Sequence, residues 1–225
     1  MLRNRITGLV NSVWGAIQIG AIMVLSPLLR MWYNRWGATD EEVAGRMPGD
    51  EWVAQPQLDS TRAISIRARP SEVWPWLVQI GAERGGFYSY DGLENLAGCR
   101  IRSADRILEA FQSLEVGQLV RLGPPGYPCY VVVEVVRART LVLRGADPAT
   151  GQLPEPDPQP TKYANSTWQW VLAEGKDGVT RLIARQRLAY SRDMALVWRL
   201  TEPVSYVMER RMLRGIRLRA EKSAG

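Results

Sequence analysis

Ile6 through Leu29 contains no charged residue, and no other stretch limits so strongly what the chain can become. A segment this apolar needs lipid or a protein core around it. As a helix it would extend for roughly 36 Å, enough to cross a bilayer core with some tilt. Arg3 and Arg5 precede it, while Arg30, Trp32, Tyr33, Arg35 and Trp36 follow it, the basic and aromatic residues suited to a membrane interface. Gly8, Ser12, Ala16 and Gly20 recur every four residues, a spacing that lets helices approach closely. Asn11 and Gln18 are unwelcome in lipid, and Pro27 would bend or end the helix. Three readings stand: a spanning anchor, a helix lying in the interface or docked on the soluble domain, and a signal peptide. The last fits least, because the stretch is long and no small-x-small cleavage site succeeds it. The leading expectation is a single pass through the inner (plasma) membrane at residues 6–29, with the remainder cytoplasmic.

The rest of the chain changes period in an informative order. Residues 36–57 are charged and contain Pro48, Gly49 and Pro56, which marks a connecting segment with one short helix near Thr39–Ala44. Thr39 is its N-cap, and Asp40, Glu41 and Glu42 sit where the helix dipole favours acids. A strand is expected over Thr61–Ala68, then a helix opened by Pro70-Ser71-Glu72 with Val73, Trp76, Leu77 and Ile80 on its apolar side. A shorter helix is expected over Ser89–Ala97, and another helical turn between Ser103 and Phe111. Five strands come next at Leu119–Leu122, Tyr130–Val136, Thr140–Arg144, Thr167–Ala173 and Arg181–Tyr190. Ala146 to Ser166 is proline-rich and reads as a lid or a disordered insertion. A closing helix from about Glu202 to Lys222 has Thr201 as its cap, Pro203 in its first turn, and Val204, Met208, Met212 and Ile216 as an inward stripe. The order predicts an α+β fold in which a curved antiparallel sheet wraps round the final helix. The divisions are 1–35 for the hydrophobic helix, 36–57 for the connection and 58–225 for the domain.

Composition removes whole classes of chemistry. The chain of 225 residues has no histidine, which takes away the commonest general base and metal ligand and every Ser-His or Cys-His arrangement. Cys99 and Cys129 lack CxxC spacing, so no zinc or redox motif is visible and only a disulfide between them stays open. No metal and no cofactor is expected. The net charge of +6 suits an anionic surface. Its basic residues form no run interleaved with aromatics, which points to anionic lipid and not to nucleic acid.

Residues 74–95, WPWLVQIGAERGGFYSYDGLEN, place aromatic rings beside a few carboxyl and amide groups, as at the wall of a small-molecule pocket. Together with Trp36–Glu42, Glu72–Gln79, Arg84–Asp91, Ser103–Leu108 and Met208–Ile216, this tract resembles the START-like SRPBCC superfamily of polyketide cyclases/dehydrases and lipid-transfer proteins. The resemblance covers Trp36–Glu221. It implies the helix-grip fold, with an apolar cavity between sheet and helix that takes a hydrophobic small molecule or lipid. A cyclase-like activity would use Asp91 or Glu94 as general base and a tyrosine, Tyr90, as proton donor. The alternative makes this stretch a helix start, with Asp91 offsetting the dipole and Glu94 exposed. A third reading is a membrane-associated interaction module whose cavity is filled by its own side chains.

Candidate ligand contacts are Tyr88, Tyr90, Trp168, Trp170, Arg185, Met208 and Met212. Trp168 and Trp170 share one strand face and either line the cavity or fill the core. Met208 and Met212 face the sheet as pocket or core. Arg185 and Arg187 share the other alternation; on a convex face they are solvated, and on a concave face they need a carboxylate from Asp91, Glu94 or Glu134, or an anionic head group. The arginines of the last helix rest on anionic lipid or stay in water.

Overall fold

A computed structural model describes residues 2–154 and 163–224. The described residues form six strands: β1 (Leu58–Ile66), β2 (Leu119–Arg121), β3 (Cys129–Val136), β4 (Thr140–Ala146), β5 (Ala164–Glu174) and β6 (Thr180–Tyr190). They make one antiparallel sheet in the order β1-β6-β5-β4-β3-β2. The helices are α1 (Leu2–Asn34), α2 (Asp40–Ala44), α3 (Pro70–Val78), α4 (Asp91–Leu96) and α5 (Ala195–Ala224). This is the helix-grip arrangement expected from the sequence. Cys99 and Cys129 are free thiols, and the proline-rich stretch expected as a lid falls largely at 155–162, outside the described residues.

The sheet curves because a bulge between Val132 and Glu134 breaks the β3–β4 register. Leu141, Leu143, Trp170, Leu172 and Leu182 on its concave face meet Met212, Leu213, Ile216 and Ala220 of α5, all buried. Tight turns set the hairpins: Ala138 and Asp177 adopt positive φ of 58° at the β3–β4 and β5–β6 corners. The short α2 forms as the sequence predicts, with Thr39 and Glu42 capping each other's backbone N–H at 3.3 and 2.8 Å.

Three expectations change. The last helix starts at Ala195, not Glu202, so Thr201 is no cap; its hydroxyl instead donates to the Trp198 carbonyl at 3.1 Å. Pro203 lies inside the helix, and the Arg199 carbonyl it would have bonded sits on an exposed turn open to water. The inward face also carries two acids, Glu202 and Glu209, besides the methionines. Second, residues 36–57 form a strap across the convex face of the sheet. Arg185, only 3% exposed, donates to Asp50 Oδ2 (2.8 Å), Thr61 Oγ1 (2.8 Å) and the Gly45, Glu42 and Val43 carbonyls (3.0, 2.8 and 3.1 Å). Arg181 pairs with Glu42 at 2.7 Å and Arg187 with Asp59 at 3.2 Å. The face is convex, yet its arginines are covered, and their carboxylates come from the strap and β1, not from Asp91, Glu94 or Glu134. Gly49 permits the close approach: its φ is +90°, and a Cβ there would meet Val142 Cγ1 at 2.5 Å.

Third, α1 is not a free-standing segment. Val10–Asn34 is long and apolar enough to cross a membrane, with mean hydropathy 1.7, but one side of it packs on α4 and α5. Gln18 donates to the Tyr90 hydroxyl (3.1 Å), the Ser26 and Tyr33 hydroxyls meet at 2.9 Å, and Arg30 grips Glu202 at 2.9 and 3.1 Å. Of the small residues, Ser12 abuts Gly92 of α4, whereas a Cβ added at Gly8 or Gly20 would meet nothing within 4 Å.

At the end of α1 the packing becomes a buried polar network. Arg62 of β1, 1% exposed, forms an ion pair with Glu209 of α5 and donates to the Tyr33 carbonyl (2.9 Å) and Asn34 Oδ1 (3.1 Å). Glu209 also accepts from Trp168 Nε1 (2.7 Å) and Gln186 Nε2 (3.2 Å). A cut at residue 35 would therefore remove partners of buried Arg62 and Glu202. Replacing one member of the pair, as in Glu209→Leu, leaves a buried charge and should cost about 3–5 kcal/mol in denaturant titration. The double variant Arg62→Met/Glu209→Leu should cost less than the sum of the two single ones.

Candidate functional site

The concave sheet and α5 do not close completely on each other. Between them lies a cavity of about 330 Å³. Trp168 and Tyr130 form its sheet wall, with Gln186 and Leu188 beside them; Trp198, Ser205, Met208 and Met212 form its α5 wall; Phe87, Leu122 and Pro128 close one end. Strand alternation sends Trp168, Gln186 and Leu188 to the concave face, and seven-residue spacing aligns Ser205 with Met212. The Trp168 ring lies 5.9 Å from Tyr130 and 4.3 Å from Trp170.

The structure divides the predicted residues. Trp168, Met208, Met212 and Glu94 line the cavity. Trp170 is wholly buried behind Trp168 as core, and Arg185 lies under the strap on the other side of the sheet. Tyr88 does not reach the cavity: its hydroxyl donates to the Trp76 carbonyl (3.1 Å) and accepts from Gln79 (2.8 Å). Burial pushes its pKa up to about 12. Tyr90 packs with Tyr33, Tyr206 and Val207 beneath α1. Asp91 has both oxygens engaged by Ser103, at 2.7 Å from its backbone N and 2.6 Å from its hydroxyl; it pins a loop and does not line the cavity. α5 can pass this corner because Gly215 has no Cβ to strike the Tyr88 carbonyl.

Glu94 is different. It is not exposed, as a plain helix start would have it; Oε2 is buried without a hydrogen-bond partner. Burial, then the nearby Asp91 carboxylate, raises its pKa to about 8, so at neutral pH it is a carboxylic acid able to donate to a ligand carbonyl or hydroxyl. Tyr130 brings a second hydroxyl to the same cavity, bonded to Ser166, with its own pKa raised by burial. Glu209 also lines the cavity, but Arg62, Trp168 and Gln186 already occupy its oxygens.

Sequence reasoning missed Tyr130, Trp198, Gln186 and Glu209. One signal was present for the last: Glu202, Glu209 and Ile216 recur every seven residues, so two acids share a stripe with a core isoleucine. Nothing in the sequence tied Tyr130 to the cavity. Among the described residues no group of three or more His, Cys, Asp or Glu stands close enough to hold a metal ion.

No family model and no curated protein matches the chain. Among solved structures it is similar to the Zhui aromatase/cyclase from Streptomcyes sp. R1128, at 14% identity over 75% of this chain and 96% of that one, with a TM-score of 0.43. A conserved protein from Geobacillus kaustophilus gives 14%, 75%, 98% and 0.41 in the same order. DynU16, a putative protein of the dynemicin biosynthetic locus, gives 16%, 71%, 47% and 0.42. At such identity and overlap these proteins say nothing about what the cavity holds.

Glu94 gives the site a pH signature. Its folded pKa lies above its unfolded value, so the native state binds more protons between the ordinary carboxylate range and about 8. Stability should therefore fall as pH rises through that window. Thermal melting of wild type and Glu94→Gln from pH 5 to pH 9 should show a decline in wild type that is shallower in the variant. Parallel profiles would mean that Glu94 is not held neutral.

Proposed function

We propose that the protein binds a hydrophobic small molecule or lipid in the cavity between the sheet and α5, at the cytoplasmic face of the plasma membrane, without transforming it. One observation carries this reading: a cavity of about 330 Å³ with aromatic and methionine walls, within the size range of small-ligand sites, where Ser205, Gln186 and Glu209 are tied into one hydrogen-bond chain. Ser205 donates to Gln186 Oε1 at 3.1 Å, and Gln186 in turn donates to Glu209. Such a site rewards apolar volume and offers few points for chemistry. The open space also speaks against an interaction module with a filled cavity.

The membrane part rests on α1. Its outward side leaves Val24 80%, Leu28 83% and Met31 76% exposed, more contiguous apolar surface than a water-soluble domain ordinarily shows. Because the polar side chains Gln18 and Arg30 are spent on the domain, that packing favours a helix lying along the interface over a separate spanning anchor. The net charge of +6 suits the anionic cytoplasmic leaflet.

Glu94 favours a second reading. A neutral carboxylic acid beside an apolar ligand, with Tyr130 in the same cavity, suits acid–base catalysis of the cyclase or dehydrase kind; Glu94, not Asp91, would be its acid. Uptake of an apolar fluorescent probe by the full chain separates the readings. Met208→Trp, which fills the cavity, should weaken probe binding by about tenfold or more. Glu94→Gln should change it less than about twofold in a carrier. Turnover of any retained compound that Glu94→Gln abolishes would establish the enzyme instead.

A further inference from the structure

A second cleft, of about 220 Å³, opens between α1 and α5 on the outside of the domain. Arg210, Arg211 and Arg214 line it with Asn11, Gln18 and Trp14, and no acidic side chain does. Elsewhere the covered arginines are either paired with a carboxylate, as Arg62, Arg181 and Arg185 are, or held by backbone carbonyls and a ring, as Arg84, Arg144 and Arg219 are. In this cleft three crowd together. Among the described residues Arg210, Arg211 and Arg214 form no ion pair. Asp91, in the adjoining cleft that shares Arg211, is committed to Ser103 through both oxygens.

Their placement is ordered. The Arg210 and Arg214 guanidinium carbons lie 5.3 and 5.4 Å from the Trp36 ring centroid, and that of Arg211 5.5 Å from Tyr90, so aromatic faces hold all three cations in place. Arg210 donates to Gln18 Oε1 at 3.2 Å, yet its Nε is buried without a partner. Burial and the neighbouring Arg210 and Arg217 depress the pKa of Arg214, the mark of cations crowded together without a counter-ion.

We propose that this cleft binds the phosphate group of an anionic membrane lipid. Three forked cations and two amides suit a phosphate's several acceptor oxygens better than a single carboxylate. The neighbouring surface points to a lipid source. Trp14, which lines the cleft, is 59% exposed, and Val10, Val13 and Ile17 on the same turns of α1 are 61%, 53% and 56% exposed. A phosphate seated in the cleft would leave its acyl chains beside these side chains, with Trp14 at headgroup depth.

The inference rests on the membrane reading of α1, and its test separates the two. The full chain in neutral detergent micelles is titrated with dioleoyl phosphatidylglycerol, dioleoylglycerol or inorganic phosphate and followed by native mass spectrometry. Phosphatidylglycerol should bind about tenfold or more tightly than the diacylglycerol that lacks its phosphate. Arg211→Gln/Arg214→Gln should abolish that preference. So should Asn11→Asp, which keeps every arginine and the Trp36 contacts but places a carboxylate inside the cleft. Equal binding of the two lipids, or a preference that survives both variants, overturns the site, as does inorganic phosphate binding as tightly as phosphatidylglycerol. Flotation of the full chain with phosphatidylcholine vesicles, with and without phosphatidylglycerol, reports on the membrane reading: flotation without headgroup preference sinks only the phosphate site, and failure to float with either sinks the membrane reading itself.

Discussion

The ion pair between Arg62 and Glu209 is the contact on which the rest of the molecule depends. Both side chains are withdrawn from water, so each would be costly alone. Their other partners come from three further elements. Arg62 lies on β1 and takes the Tyr33 carbonyl and Asn34 of α1; Glu209 lies on α5 and takes Trp168 of β5 and Gln186 of β6. A pair so fully bonded loses partners whenever α5 slides on the sheet or α1 lifts from the domain. It fixes the rotation of α5, and that rotation presents Met208 and Met212 to the cavity. It also occupies both oxygens of Glu209, so this buried carboxylate is held in place and not free to act.

The same logic accounts for α1. Read alone, Gln18 looks like a fault in a membrane helix. In the fold Gln18 and Arg30 turn to Tyr90 and Glu202 alongside Ile19, Ile22 and Leu29, while Val24, Leu28 and Met31 turn away. A helix with that division has a reason to lie along a domain and no need to leave it. The strap of residues 36–57 then carries the chain from α1 round to the convex face, where Arg185 ties it down with four hydrogen bonds.

Much of this fold was legible in the sequence, because it derives from period and turn chemistry. Strand alternation located all six strands to within a few residues, and Thr39 with Glu42 announced α2. The start of α5 was misplaced because Pro203 reads as a first-turn residue, whereas an exposed Arg199 carbonyl tolerates it within the helix. The site was legible only where side-chain direction is set by period, as for Trp168 and Met212. Tyr88 and Tyr90 misled because adjacent aromatics in an irregular segment have no period to reveal where they point. Tyr88 takes a left-handed φ of 57°, and each ring ends in a different cluster. Arg62 was passed over since a single arginine in a strand looks solvated until its long-range partners are known.

Glu94 and Glu209 show why composition alone does not decide whether the cavity is a container or a reaction vessel. Both are carboxylates lining one space. Glu209 has a cation and two N–H donors, an environment suited to holding a charge. Glu94 has a buried oxygen with no donor and a neighbouring Asp91, an environment that expels the charge and keeps the proton. Environments that push two like groups apart in this way can serve catalysis, one as acid and one as base. Here the second group is tied to Arg62, Trp168 and Gln186 and is not available as a base. What remains is one neutral acid in an apolar wall, which can orient a ligand through a hydrogen bond but has no free carboxylate partner of established role to complete a proton cycle. On that asymmetry rests the proposal that the cavity binds a ligand without transforming it.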